Sequence, residues 1–344
     1  MNISQYVAKY DPQNQFDTLI NSYKQIEFAW NNKFDLSSLK NINFHSIVVS
    51  GLGGSAISAD LIKNFLGNEI NIPFIVNRNY SLPSFLDRNT LLVISSYSGN
   101  TEETVEVLQK ALKINCNIIC ISTGGKVEEI ANENDLPLIK VLPGLQPRYA
   151  LGLSLFSLLK LLQELNLIQN NDSIVKEIIS LWKDKGQEYS KENNPAYNYA
   201  EQLNGYIPII YSAADFTSAV GYRIKCQFNE NSKLHAFHNV IPELNHNEII
   251  GWESFTDKQL SIKVINIIDQ DYHSQIKKRF EITSELISSR NAEIITLESN
   301  LSDFKLRIMD LIYLGDWISY YLAIIRGYDP TEIDNINLLK KRLK

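Results

Sequence analysis

Two short stretches place hydroxyls and glycines directly after apolar runs: "GLGGSA", residues 51–56, follows "HSIVVS", and "SSYSGNTEET", residues 95–104, follows "TLLVIS". Neither stretch holds a basic side chain. In the first, glycines let the backbone turn tightly and Ser55 sits where a helix would begin. In the second, Asn100 followed by Glu103 reads as a capping box, which predicts a helix start near residue 101. Free N–H groups and the positive end of that helix then gather around Ser96, Ser98 and Thr101. Hydroxyls and helix N–H groups together make a neutral cradle for a phosphate monoester, while turn and capping duty alone is the plainer alternative.

Other phosphate and metal motifs fit poorly. "GLGGSA" has G-x-G but no third glycine three residues on, and no Gly-Lys-Ser/Thr occurs. The three histidines of "HAFHNVIPELNH" lack the His-Glu-x-x-His spacing, and Cys116, Cys120 and Cys226 form no ligand spacing either. The cysteines read as small core residues.

The elements that must position these turns alternate along the chain. "HSIVVSGLGG", "IPFIV", "TLLVISS", "NIICIST" and "LPLIKVL" predict strands, most of them continuously apolar as strands covered on both faces are. Between them lie amphipathic helices such as "TEETVEVLQKALK", with Val105, Leu108 and Leu112 on one face. A second series follows, with "YIPIIYSA", "LSIKVINII" and "AEIITLES" as strands and "AVGYRIKCQFNENSKL" and "SQIKKRFEITSELISSR" as helices. The fold class is therefore α/β: two doubly wound, mainly parallel units, expected over residues 1–165 and 166–344. "LGLSLFSLLKLLQEL" and "WISYYLAII" are apolar enough to be core or interface helices.

Composition bounds the rest. A chain of 344 residues exceeds the usual single-core size. Its net charge of −6 argues against a nucleic-acid surface, so an anionic ligand needs a locally positive site. No apolar run of the length a membrane span requires and no signal-peptide pattern is read, and a cytoplasmic protein without membrane or nucleic-acid partners is expected.

With "GLGGSA" and "SSYSGNTEET" in hand, the chain resembles the sugar isomerase (SIS) domain. With "QPRYALG", "KCQFNENSK" and "PELNHNEIIGW" added in order, it resembles the bifunctional phosphoglucose/phosphomannose isomerases over almost its whole length. The resemblance implies that Gly54, Ser55, Ser96, Ser98 and Thr101 bind the phosphate of a hexose 6-phosphate. It implies that Glu230 is the catalytic base, that His246 assists ring opening from the neighbouring subunit of a homodimer, and that Arg148 stabilises the anionic intermediate. Lys340, with Lys341 adjacent, is the C-terminal match to a site lysine, and Thr331 is a guess for an epimer-selecting threonine. No metal or cofactor is implied. Taken singly, Glu230 reads equally as a solvated helix-end carboxylate, Arg148 as a domain-linking ion pair and Lys340 as a surface lysine. Three rival functions stand beside this isomerase: a phosphosugar-sensing regulator, an isomerase of a related phosphosugar, and an amino-sugar phosphate synthase, which would need an ammonia source.

Overall fold

The computed structural model describes residues 2–255 and 261–343. Their contacts divide the chain into two compact units, Ser22–Ser180 and Met1–Asn21 with Leu181–Lys344. This differs from a single cut at 165/166 in two respects: residues 1–21 belong with the C-terminal half, and residues 166–180 belong with the N-terminal one. Helices α1 (Ile3–Tyr10) and α2 (Gln15–Ile20) open the chain. They are tied into that half because Tyr320 donates to the Asp11 carboxylate at 2.8 Å and Tyr313 to the Leu19 carbonyl at 2.7 Å.

The unit Ser22–Ser180 begins with α3 (Tyr23–Asn31). It then alternates β1 (Ser46–Ser50), α4 (Gly53–Leu66), β2 (Phe74–Asn77), β3 (Thr90–Ser96), α5 (Glu102–Ala111), β4 (Asn117–Ser122), α6 (Gly125–Glu133) and β5 (Leu138–Lys140). All five expected strands form, in the order β2-β1-β3-β4-β5, and every pair is parallel. Strands β1 and β3 are buried along their whole length, which is why they read as unbroken apolar runs. The order reverses between β1 and β3, so the loops that leave their carboxyl ends flank a crevice where such sheets bind ligands. Helix α7 (Leu151–Glu164) packs on α3 and α4 and is buried along almost its whole length, the core alternative for its apolar sequence.

The division between the units falls inside α8 (Asp172–Tyr189). The second unit continues with α9 (Pro195–Leu203), β6 (Ile207–Ala213), α10 (Ser218–Glu230), β7 (Phe237–Ile241), β8 (Ile262–Ile267), α11 (Ser274–Ser288), β9 (Glu293–Leu297), α12 (Phe304–Ile325) and α13 (Asp334–Leu343). Among the described residues its parallel sheet has four strands in the order β7-β6-β8-β9, one more than the three expected. The additional strand, β7, has the sequence "FHNVI" and lies at the sheet edge, where only Ile241 is fully buried. A strand so little covered carries too few apolar residues to show as a buried run.

Helix α12 takes the core alternative read for "WISYYLAII" and departs from the sequence reading only in its span of apolar composition. It is long and apolar enough in composition to cross a membrane, yet it lies buried as the core helix of its unit. Two of its charged residues are answered inside the protein: Asp316 accepts from Arg223 at 2.8 and 3.0 Å and from Gln227 at 2.9 Å, and Arg307 donates to Asp269 at 2.7 and 3.1 Å.

Candidate active site

The unit Ser22–Ser180 gathers the expected phosphate-binding residues on the two loops at its topological switch point. Ser55 lies in the first turn of α4, buried, and its Oγ accepts the Tyr97 N–H at 3.1 Å. Ser96 ends β3, also buried, and donates to Thr101 Oγ1 at 3.1 Å. The hydroxyls of both loops are thus linked into neighbouring networks, with Ser98 exposed at the tip.

Asn100 does not cap the helix as expected. The N-cap of α5 is Thr101, which makes no side-chain cap bond, and Leu52 at the N-cap of α4 has no polar side chain to offer. Asn100 instead accepts from the Lys126 N–H at 3.1 Å, holding the loop to the start of α6. The capping-box pattern identifies a polar residue near a helix start, but not which backbone group it reaches across space. The consequence favours ligand binding, because neither helix N-terminus at the crevice is closed by its own cap side chain.

Two glycines let these loops close up. Gly99 has φ +68°, and a Cβ there would lie 1.7 Å from the Gly124 carbonyl oxygen. Gly54 stands where a Cβ would come within 2.7 Å of the Pro147 carbonyl, so the start of α4 packs directly on the 3₁₀ turn Pro147–Tyr149. That turn carries Arg148, which is 4% exposed. Gln25 secures it by donating to the Tyr149 carbonyl at 2.8 Å. The backbone of Arg148 therefore lies against Gly54 at the start of α4, and its guanidinium stands 5.4 Å from the centre of the Tyr149 ring. Tyr97 is a residue the sequence reading passed over. Its backbone meets Ser55, and its hydroxyl donates to the Leu142 carbonyl at 2.9 Å and accepts from the Leu145 N–H at 3.0 Å.

The other unit carries Glu230, His246 and Lys340. Glu230 is the last residue of α10 and is partly buried. The two residues after it are fixed on α12: Asn231 donates to Ser319 Oγ at 2.9 Å and Ser232 to the Ser319 carbonyl at 2.7 Å. His246 is exposed at the end of the 3₁₀ turn Glu243–His246, held by Asn245, which donates to Thr283 Oγ1 at 2.9 Å. In a parallel β-α-β unit the helix runs against its strands, so Glu230, before β7, and His246, after it, lie toward opposite ends of that strand. Five residues of strand span roughly 16 Å, and the topology does not bring the two side chains together within one chain.

Lys340 and Lys341 are exposed on α13, no residue of which is buried, and Thr331 is 2% exposed in the connection before it. Of the other histidines, His235 stacks on Phe237 at the surface. His238 is half-buried, with Nε2 2.7 Å from Ser212 Oγ. Burial, aided by the Lys225 charge, pulls the His238 pKa down to about 4. A pocket of about 370 Å³ opens beside β7 between Tyr222, Lys225, Phe237, His238 and Glu248, and holds none of the expected site residues.

Two parallel α/β units, with uncapped helix starts and hydroxyls at the switch point of the first, define a sugar-isomerase-type domain protein. The SIS domain family matches residues 42–141, and the bacterial phospho-glucose isomerase C-terminal SIS domain matches residues 192–343. The bifunctional phosphoglucose/phosphomannose isomerase of Caldicellulosiruptor bescii is 38% identical over 333 residues, covering 95% of this chain and 98% of its own. That of Aquifex aeolicus is 33% identical over 326 residues, covering 94% and 98%. The chain belongs to the bifunctional phosphoglucose/phosphomannose isomerase family. Its fold is shared with a solved hypothetical protein of Thermus thermophilus at TM-score 0.72, with 14% identity and coverage of 99% and 93%.

Proposed function

We propose that the protein is an aldose–ketose isomerase that interconverts glucose 6-phosphate or mannose 6-phosphate with fructose 6-phosphate. The observation that carries this reading is the hydroxyl-lined, uncapped crevice with buried Arg148 beside it, in a chain alike over nearly its full length to enzymes named for that reaction. Ser55, Ser96, Ser98 and Thr101, with the backbone at Gly54, bind the phosphate through hydroxyl and helix N–H donors. The binding is neutral apart from Arg148, so the product can leave.

Isomerisation moves a proton between C2 and C1 through a cis-enediol. Glu230 takes the proton from C2 of the aldose and returns it to C1, which one carboxylate can do in both directions. A base that reaches C2 of both epimers serves glucose and mannose alike. The negative charge that develops on the enediolate oxygens is stabilised by the guanidinium of Arg148. His246 moves the proton between the ring oxygen and the C1 hydroxyl when the sugar ring opens. Lys340 supports the site electrostatically from the C-terminal helix, and no metal takes part in any step.

A homodimer in the cytoplasm completes the reading, with His246 serving the partner's site. Its support is the placement of Glu230 and His246 toward opposite ends of β7. Uncovered apolar residues Ile336, Leu339 and Leu343 at i, i+3 and i+7 of α13 add to it. Proton NMR of the purified protein with each hexose 6-phosphate in D2O tests the function directly. Exchange at C2 with appearance of the ketose is expected, and the absence of turnover on both epimers would overturn the reading.

A further inference from the structure

Lys233 follows Glu230 by three residues and turns the chain out of α10 with φ +50°. Left-handed backbone costs most side chains energy, and a position needed only to end a helix is better filled by Gly or Asn. The lysine side chain is put to use instead. Its ammonium donates to the Glu230 carbonyl at 3.0 Å, the Asn231 carbonyl at 3.3 Å and the Asp329 carbonyl at 2.5 Å.

Two of these acceptors are carbonyls at the end of α10, where a cation also answers the negative end of the helix dipole. The third lies in the connection between α12 and α13. That connection is itself organised, since Asp329 accepts the Thr331 N–H at 2.7 Å and Arg326 donates to the Ser232 carbonyl at 3.2 Å. Lys233 thereby pins the backbone of Glu230 to Asp329, which lies 96 residues beyond the lysine in sequence.

We propose that Lys233 is a positioning residue for the Glu230 carboxylate, fixing the end of α10 so that one oxygen can serve both C1 and C2. This rests on the reading of Glu230 as the base. A proton shuttle between two carbons tolerates little displacement, since a shift of about 1 Å in a catalytic group can cost ~100-fold in rate.

The test is steady-state kinetics on fructose 6-phosphate with Lys233→Met, Lys233→Arg, Glu230→Gln and the double variant Glu230→Gln/Lys233→Met. For Lys233→Met, kcat is expected to fall by roughly 10- to 100-fold with KM within about twofold. Lys233→Arg, which keeps a cationic donor, is expected to recover most of kcat. The double variant is expected to be no slower than Glu230→Gln alone, because the lysine acts through the glutamate. Wild-type kcat in Lys233→Met overturns the proposal. So does an additional loss in the double variant that equals the loss in the single one, or a Lys233→Met chain that circular dichroism shows to be unfolded, since either makes the lysine a general stability element. If Glu230→Gln alone turned over like wild type, the base assignment itself would fail, a result distinct from failure of the clamp.

Discussion

At the scale of single residues, the proposed mechanism divides the site into groups that hold the substrate and groups that react with it, and the division is measurable. Ser98→Ala and Thr101→Ala remove phosphate donors used alike in ground and transition states, so KM is expected to rise, by roughly 10-fold for one charge-assisted bond, with kcat nearly unchanged. Glu230→Gln leaves those donors intact and removes the base, so kcat is expected to fall by about 10² to 10⁴. Loss of kcat with unchanged KM in Ser98→Ala would contradict the cradle. His238 offers a prediction of another kind. Its pKa is 6.5 in the unfolded chain and about 4 in the fold, so between these values the unfolded state binds more protons. Stability from this residue is full above pH 6.5 and is lost as pH falls toward 4, by on the order of 3 kcal/mol in all. Urea unfolding across that window should show the decline in wild type and a flatter profile in His238→Gln.

At the scale of elements, the sites depend on helices whose ends are fixed by long-range bonds. Helix α10 is tied to α12 by the Arg223–Asp316 pair, in which both side chains are buried. Asp316→Ala would leave the guanidinium buried without its carboxylate, and a loss of about 3–5 kcal/mol in unfolding free energy is expected by thermal or denaturant titration. Gly54→Ala tests the approach of α4 to the turn that carries Arg148. The new methyl would meet the Pro147 carbonyl, so Arg148 must shift. Turnover should drop while far-UV circular dichroism remains that of the wild type. Wild-type activity in Gly54→Ala would show that this approach does not set the position of Arg148.

At the scale of the whole molecule, the proposed homodimer predicts that His246 of one chain serves the Glu230 site of its neighbour. The arrangement in β7 makes this testable by mixing subunits. If His246 acts across a dimer, co-refolding inactive Glu230→Gln and His246→Ala chains restores one intact site in each mixed dimer, about a quarter of wild-type activity for random pairing. If it acts within its own chain, every site keeps one defect and no activity returns. Analytical ultracentrifugation of the same mixture checks that dimers have formed.

The sequence by itself determined the class of fold and the glycine-serine turns that follow β1 and β3, because buried parallel strands and such turns are local patterns that need no partner to be read. It also marked Glu230, His246 and Arg148, but only through a resemblance spread over separate motifs, since one carboxylate or one guanidinium has no local signature of catalysis. The tertiary structure decided the rest. It placed Asn100 on Lys126 rather than on its own helix and revealed β7 at the sheet edge. It assigned the first two helices to the C-terminal unit, and gave Lys233 its acceptor at Asp329. Each of these rests on a hydrogen bond or a packing contact between residues far apart in the chain, and sequence spacing carries no record of such pairings.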